Sequence, residues 1–199
     1  MGNVSVNKLG GISIALGPVI ALISYLVQPG GLLNGNVDPS DASAAIAETV
    51  SNSAMAHVTG FTVILGLGML VYGILTVVAN MKGGNGEALS RYASLFWVVA
   101  LAGWVIQSGL GHILAGQGAA IAAGSGALAG VLYASSQGIS NVSSAAAAVG
   151  ITALALAASS RDDFNKMIAL VIAASGVMVL VCSIIGLSDS SQAGLMSQI

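Results

Sequence analysis

Charged side chains are scarce in this sequence. Asp, Glu, Lys and Arg make up 6% of its 199 residues, whereas soluble domains carry about 25%. Hydrophobic residues make up 56% of the chain, and the mean hydropathy is +0.94. This composition excludes a soluble protein, and the formal net charge of −2 gives no basic surface for nucleic acid.

Cysteine and proline are also rare. Cys182 is the one cysteine in the chain, so no intrachain disulfide can form, and its position in an apolar run is typical of a packing thiol. Pro18, one of three prolines, predicts a kink in the first apolar run because it removes a backbone hydrogen bond. Pro29 ends that run, and Pro39 suits the first position of a helix capped by Asp38.

Long uncharged apolar runs dominate what is present. Each is long enough, at 1.5 Å per helical residue, to cross the ~30 Å hydrocarbon layer. A β-barrel would show short segments of alternating polarity instead. We therefore predict an all-α fold in one domain, a polytopic transmembrane helical bundle of five spans, at about residues 9–28, 57–81, 92–115, 140–159 and 167–187.

Two further segments are predicted to lie between these spans. A short amphipathic helix at about 39–50 suits the outer membrane surface. The segment 116–134 is mostly glycine, alanine and serine, which indicates a surface or re-entrant segment packed against protein. A six-span alternative, in which a span is added in this region, stays open.

The distribution of basic residues predicts the orientation. With five spans, every Lys and Arg falls on one face of the membrane, which the positive-inside rule makes the cytoplasmic face. The N-terminus is then inside, the C-terminus is outside, and the protein is a multi-pass protein of the cytoplasmic (cell) membrane. A sixth span would move the last two basic residues outside; the full set is Lys8, Lys82, Arg91, Arg161 and Lys166.

The chain has two histidines, one near each far end of a predicted helical hairpin. His57 lies 29 residues before Gly86, in the polar turn of that hairpin, and His112 lies 26 residues after it. The two imidazoles are therefore offset by about 4.5 Å along the helix axes. Because an ionisable residue in a span is a functional hypothesis by default, we identify this pair as the candidate binding site.

Two kinds of cofactor are considered for His57 and His112. Haem b would need Cα atoms roughly 12 Å or more apart, whereas packed helix axes lie 8–10 Å apart, so the pair would have to splay. A transition metal such as copper or zinc fits the closer spacing but takes further ligands. The acidic residues at hand on that side are Asp38, Asp41 and Glu48.

No catalytic residues are predicted. The spans contain no Ser/His/Asp set, no His-x-x-Glu-His pattern and no paired carboxylates, so a hydrolase or protease has no supporting motif. The sequence favours a protein that is not an enzyme.

Glycine is abundant, with 27 residues. Small residues let helix backbones approach closely in a membrane, where little hydrophobic force drives helices together. We expect tight helix packing at the glycines of the hairpin, which are Gly60, Gly66, Gly68, Gly73, Gly103, Gly109 and Gly111.

A family resemblance lies in two segments, KLGGISIALGPVIALISYLVQPGG and AHVTGFTVILGLGMLVYGI. They are similar to a class of small bacterial multi-span membrane proteins of unknown function. Members share a Gly-Gly and Gly-Pro first helix, a proline at its outer end, and an Ala-His that opens the second helix. The resemblance covers about residues 8–115 and implies that His57 is a recurrent feature, but it implies no activity.

Three function classes follow from the sequence. The first is a non-catalytic structural or accessory subunit of a larger membrane complex, which contacts membrane lipids and other integral membrane subunits or copies of itself. The second is an electron-transfer protein that binds haem b or a metal through His57 and His112. The third is a small-solute channel or carrier. The first is favoured because no residue set is rich enough for chemistry or for coupled transport.

Overall fold

The structure is a computed structural model that describes residues 5–122, 124 and 126–188. These residues form an all-α fold without strands, and five of the helices are long and apolar enough to span a membrane. The predicted fold class is therefore confirmed, and the chain is a multi-pass membrane protein. In chain order, the helices are α1 (Val6–Val27), α2 (Ala42–Ser51), α3 (Ser53–Asn80), α4 (Glu87–Ala115), α5 (Gly118–Ala122), α6 (Gly126–Ser159) and α7 (Lys166–Ser188). The five spanning helices are α1, α3, α4, α6 and α7.

The short helix α2 begins later than the sequence indicates. Its cap is Asp41, whose side chain accepts a hydrogen bond from the backbone N–H of Ala44 at 2.9 Å. Asp38, the predicted cap, instead accepts from the backbone N–H and the hydroxyl of Ser40, both at 2.8 Å. This local turn gives the backbone an alternative to an earlier helix start.

Helix α6 is longer than the predicted fourth span. It runs unbroken over Gly126–Ser159, so residues 126–134, assigned from sequence to a surface or re-entrant segment, form its first turns. Its 34 residues extend about 51 Å at 1.5 Å per residue, well beyond the hydrocarbon layer. The hydroxyl of Tyr133 donates to the Pro39 carbonyl at 2.8 Å, which ties the early part of α6 to the loop before α2.

The spanning helices form an open row. Each packs mainly against its neighbours in the chain: α1 against α3, α3 against α4, α4 against α6, and α6 against α7. In the most apolar 18-residue stretch of each helix, 44% is buried in α6 but 17% is buried in α4 and in α7. Broad apolar surfaces on both faces of the row are therefore covered by lipid or by other proteins.

Small residues bring α1 and α3 into backbone contact. A Cβ atom on Gly17 would lie 2.6 Å from the Gly66 carbonyl oxygen, and one on Gly66 would lie 2.6 Å from the Gly17 oxygen. A Cβ on Gly73 would lie 2.8 Å from the Ile14 backbone nitrogen. These distances leave no room for a side chain, so the tight packing expected at Gly66 and Gly73 is present.

A buried tryptophan fills the contact between α4 and α6. Trp97 is 6% exposed, and its indole would collide with a Cβ on Gly150, which would lie 2.8 Å from Cδ1. Its Nε1 has no hydrogen-bond partner among the described atoms. Ala93 and Ala100, both fully buried, complete this face of α4.

Hydrogen bonds tie neighbouring elements together at both ends of the row. At the end that carries the basic residues, here called the basic side, Asn80 of α3 pairs with Asn7 of α1 at 3.2 Å. At the opposite end, here called the far side, Asn34 donates to the Met55 sulfur at 3.0 Å. Because the five spanning helices alternate in direction, α1 begins on the basic side and α7 ends on the far side.

Candidate histidine site

The structure brings the two histidines into direct contact. Nδ1 of His57 lies 2.8 Å from Nδ1 of His112, the distance of an ordinary hydrogen bond. One ring carries its proton on Nδ1 and donates, while the other accepts through an unprotonated Nδ1. The contact joins the far-side ends of α3 and α4.

The two rings meet head-on rather than face to face. Their planes are inclined by 16° and their centroids are 5.1 Å apart. The distance between the centroids equals the 2.8 Å between the nitrogens plus about two ring radii. Both centroids and both nitrogens must therefore lie nearly on one line. Such alignment is the preferred geometry of a linear N–H···N hydrogen bond.

A second cross-helix contact lies one turn below the histidines. The Ser108 hydroxyl donates to the Gly60 carbonyl at 3.2 Å. A Cβ on Gly60 would lie 3.4 Å from both the Ser108 hydroxyl oxygen and Cε1 of His112. The glycine therefore lets the two backbones approach closely enough for both polar contacts.

The pair lies where the hydrocarbon layer ends. His57 is 23 residues before Asn80, the last residue of α3, about 34 Å along the axis at 1.5 Å per residue. The hydrocarbon layer is about 30 Å thick, so the imidazoles are at the headgroup level of the far side. His57 is exposed and His112 is half-buried, and water or lipid headgroups can therefore reach them.

The three acidic residues proposed as further ligands are engaged elsewhere. Glu48 accepts from the Asn52 side chain at 2.8 Å, Asp41 caps α2, and Asp38 binds Ser40. Ser40 also holds the pKa of the Asp38 carboxyl below its usual value, first through its backbone N–H and then through its hydroxyl. Among the described residues, no group of three or more His, Cys, Asp and Glu is arranged to hold a metal ion.

A porphyrin does not fit between the histidine rings in this arrangement. The two Nδ1 atoms are 2.8 Å apart, which is too close for a porphyrin and its iron to lie between them. A tetrahedral zinc site would need nitrogens at an angle to each other and two more ligands. Both cofactors stay predictions from the sequence, and each requires the rings to leave the positions described above.

A second polar cluster lies at the basic side, away from the histidines. Arg161 binds Asp163 through two bonds, with Nε at 2.9 Å from Oδ1 and Nη2 at 3.0 Å from Oδ2. The Arg161 hydrogen bonds lower the pKa of the Asp163 carboxyl. The Arg161 guanidinium also covers Gly84, in the turn between α3 and α4. This cluster joins two turns on the basic side, and its charges are paired.

Two open, mainly apolar grooves lie on the surface of the described helices. One, of about 440 Å³, lies between α2 and the start of α6 and includes Ile46, Val50 and Ile121. The other, of about 370 Å³, follows α1 and α3 past Phe61 and Tyr72. Neither groove includes a histidine or a charged side chain, and the polar side chains that line them are Ser43 in the first groove and Ser13 and Tyr72 in the second.

Comparison with known proteins gives no match. No protein-family model, characterised protein or solved structure aligns significantly with this chain. The resemblance to bacterial multi-span proteins therefore stays a prediction from the sequence.

Several contacts around the site were not predicted. The residue count that placed His57 and His112 at one depth did not indicate the hydrogen bond that joins Ser108 to Gly60. The link from Tyr133 to Pro39 spans 94 residues and has no local signal in the sequence. Both contacts depend on how helices from separate parts of the chain pack together.

Proposed function

We propose that this protein is a non-catalytic structural or accessory subunit of a larger membrane assembly. The observation that carries the proposal is the open row of spanning helices, which leaves small residues uncovered on helix faces. A Cβ atom on any of seven such glycines would meet nothing within 4 Å outside its own helix. They are Gly11, Gly68, Gly109, Gly111, Gly126, Gly130 and Gly138.

Glycines that contact a neighbouring helix show that small residues in this fold serve helix packing, and the uncovered glycines are compared with them. Gly17 and Gly66 allow α1 and α3 to touch backbone to backbone. A Cβ on Gly68, two residues further along α3, would meet nothing within 4 Å, so the tight packing expected there from the sequence is not made within the described chain. Since small residues in membranes let helices approach closely, the uncovered ones suit contact with helices of other chains.

One face of α4 has the pattern of a helix-packing surface. Exposed residues on this face are separated alternately by three and four positions, which is the spacing by which one helix packs along another. Large side chains and small ones are interleaved, which allows ridges to enter grooves. The residues are Tyr92, Leu95, Val99, Ala102, Ile106 and Gly109.

The charge distribution supports an assembly role over a carrier. Transport sites use ionisable side chains inside the membrane. In this sequence the charged residues lie in the turns or near helix ends, and no charge occurs between Tyr92 and Ser160. The histidines also lie at the membrane surface, so the described residues place no ionisable coupling group at the depth where a carrier binds its solute.

A pair of substitutions on α4 tests this proposal. Gly109→Leu adds a large side chain where this chain offers no contact, so it should leave the isolated subunit folded but block association through this face. Ile106→Leu, on the same face, conserves volume and should keep association. The measurement is photo-cross-linking to protein in the native membrane, from a photoreactive residue at Leu95.

Cross-links to a defined protein that are present in wild type and Ile106→Leu, but lost in Gly109→Leu, are the expected result. Cross-links to lipid alone in all three proteins would contradict the proposal. Helical content, measured by circular dichroism, shows that the Gly109→Leu chain itself is intact.

A further inference from the structure

We propose that His57 and His112 together bind one monovalent soft metal ion, Cu(I), held in a line between their Nδ1 atoms. The ion takes the place of the proton that the two rings share. This inference is independent of the assembly role, because both ligands belong to this chain and are in contact without a partner.

The alignment of the rings selects the class of metal. Coordination geometry is diagnostic of a metal, and two imidazoles whose nitrogens face each other along one line offer an angle near 180° at an ion between them. Tetrahedral Zn²⁺ requires bonds at about 109°. Monovalent ions with a filled d shell accept two collinear ligands, and imidazole is a ligand suited to copper.

The number of ligands points the same way. No group of three His, Cys, Asp or Glu residues suited to a metal occurs in the described part of the chain. The acidic residues Glu48, Asp41 and Asp38 accept hydrogen bonds from Asn52, Ala44 and Ser40. A site with only two protein ligands is incomplete for zinc but complete for a linear two-coordinate ion.

The site can open by the distance that the ion requires. Two metal–nitrogen bonds of about 2 Å place the nitrogens roughly 4 Å apart, compared with 2.8 Å in the hydrogen-bonded pair. The required movement is about 0.6 Å for each ring. His57 is exposed, so its ring is free to make most of this movement, and Gly60 has no side chain to press on Cε1 of His112, from which a Cβ would lie 3.4 Å away.

The protons balance without a base. In the neutral pair, one Nδ1 carries the proton of the hydrogen bond and the other Nδ1 is unprotonated. When the ion binds both Nδ1 atoms, the ring that carried the bridging proton loses it from Nδ1 and gains a proton on Nε2. That ring therefore stays neutral. No net proton is released from the neutral pair, and the oxidation state of the copper does not change.

The test uses the full chain, purified in mild detergent. Its probes are Ag⁺ and, under ascorbate, Cu(I) competed against a colorimetric Cu(I) chelator. We expect about one equivalent per chain, a loss of that equivalent in His57→Ala and in His112→Ala, and no displacement by Zn²⁺. Ser108→Ala and Met55→Leu are the matched controls; both keep the two imidazoles and should keep the equivalent.

Several results would overturn the proposal. Wild-type protein that binds neither probe would do so, as would binding that survives either alanine substitution. Binding lost in Met55→Leu would mean that a thioether is a ligand. X-ray absorption on the loaded wild-type protein needs no variant to fold: two nitrogen neighbours support the linear site, and four neighbours exclude it.

Discussion

At the scale of single residues, the histidine contact is a hydrogen bond in an exposed setting, and its energetic contribution is modest. A neutral hydrogen bond contributes about 1 kcal/mol net, because water competes for the same groups. His57 is exposed and His112 is half-buried, so each imidazole can bind water when its partner is removed. The pair therefore stabilises the far-side end of the hairpin slightly, and its exposed position leaves it accessible to a ligand.

The contact predicts a specific pattern in a double-mutant cycle. His57→Ala and His112→Ala should each lower the free energy of unfolding by about 1 kcal/mol. The double variant should lose about the same amount rather than the sum, because both single changes remove one shared bond. Unfolding in detergent without added metal measures this, and additive losses would show that the two rings do not interact.

Two glycines on α3 provide a matched comparison of covered and uncovered sites. Gly66→Ala would place a Cβ 2.6 Å from the backbone of α1, so α1 and α3 must separate and stability should fall by about 1–3 kcal/mol, as in an overpacked core. Gly68→Ala meets nothing within 4 Å and should be neutral in the isolated chain. Equal effects on thermal unfolding at the two positions would refute the packing described for α1 and α3.

The number of residues from the hairpin turn was sufficient to predict that the two histidines lie close together. The same count could not predict where the acidic side chains lie. Equal distances from the hairpin turn put His57 and His112 at one depth because helix rise is constant. Asp38, Asp41 and Glu48 lie in a loop and a short helix, where local hydrogen bonds to Ser40, Ala44 and Asn52 decide where the side chains go. No periodicity in the sequence carries that information.

At the scale of elements, hydropathy predicts the spans well and their lengths less well. Each predicted span corresponds to one spanning helix, because the bilayer forces a helix wherever about twenty apolar residues occur. The first turns of α6 were not assigned to that helix, since they belong to the segment 116–134, which is mostly glycine, alanine and serine. Their helical state depends on contacts such as Tyr133 with Pro39, which sequence patterns do not show.

The alternation of five helices predicts the membrane topology. Lys82 and Arg161 lie on one side, since Arg161 covers Gly84 in the turn that follows Lys82. Cysteine at either position should be protected from an impermeant reagent on intact cells and labelled after permeabilisation. Labelling of Arg161→Cys in intact cells, with Lys82→Cys protected, would contradict the five-span arrangement.

The ion pair between Arg161 and Asp163, within the turn that joins α6 and α7, predicts a pH dependence on the basic side. Arg161 lowers the pKa of Asp163 in the folded state, so its contribution is fully present above the ordinary Asp value of 3.8 and is lost as the pH falls through the lowered value. The thermal midpoint of wild type should therefore fall more steeply in acid than that of Asp163→Asn. Identical profiles for the two proteins would show that the pair does not contribute.

At the scale of the whole molecule, the open row is the feature that most constrains function. A closed bundle would bury its small residues internally, whereas here a Cβ on any of several glycines of the spanning helices would meet no atom of another described element within 4 Å. The sequence predicted the helices but could not predict the row, because apolar faces turned to lipid and to protein have the same composition. Which face meets a partner depends on shape, and this is visible only when the helices are placed side by side.

The most direct test of the assembly role is the protein mass of the particle extracted from native membranes in mild detergent. Light scattering coupled to size-exclusion chromatography separates protein mass from detergent mass. We predict a defined complex well above the 19.5 kDa of one chain, which dissociates in Gly109→Leu and persists in Ile106→Leu. A monodisperse 19.5 kDa particle that moves a solute after reconstitution into vesicles would contradict the assembly role and establish a carrier.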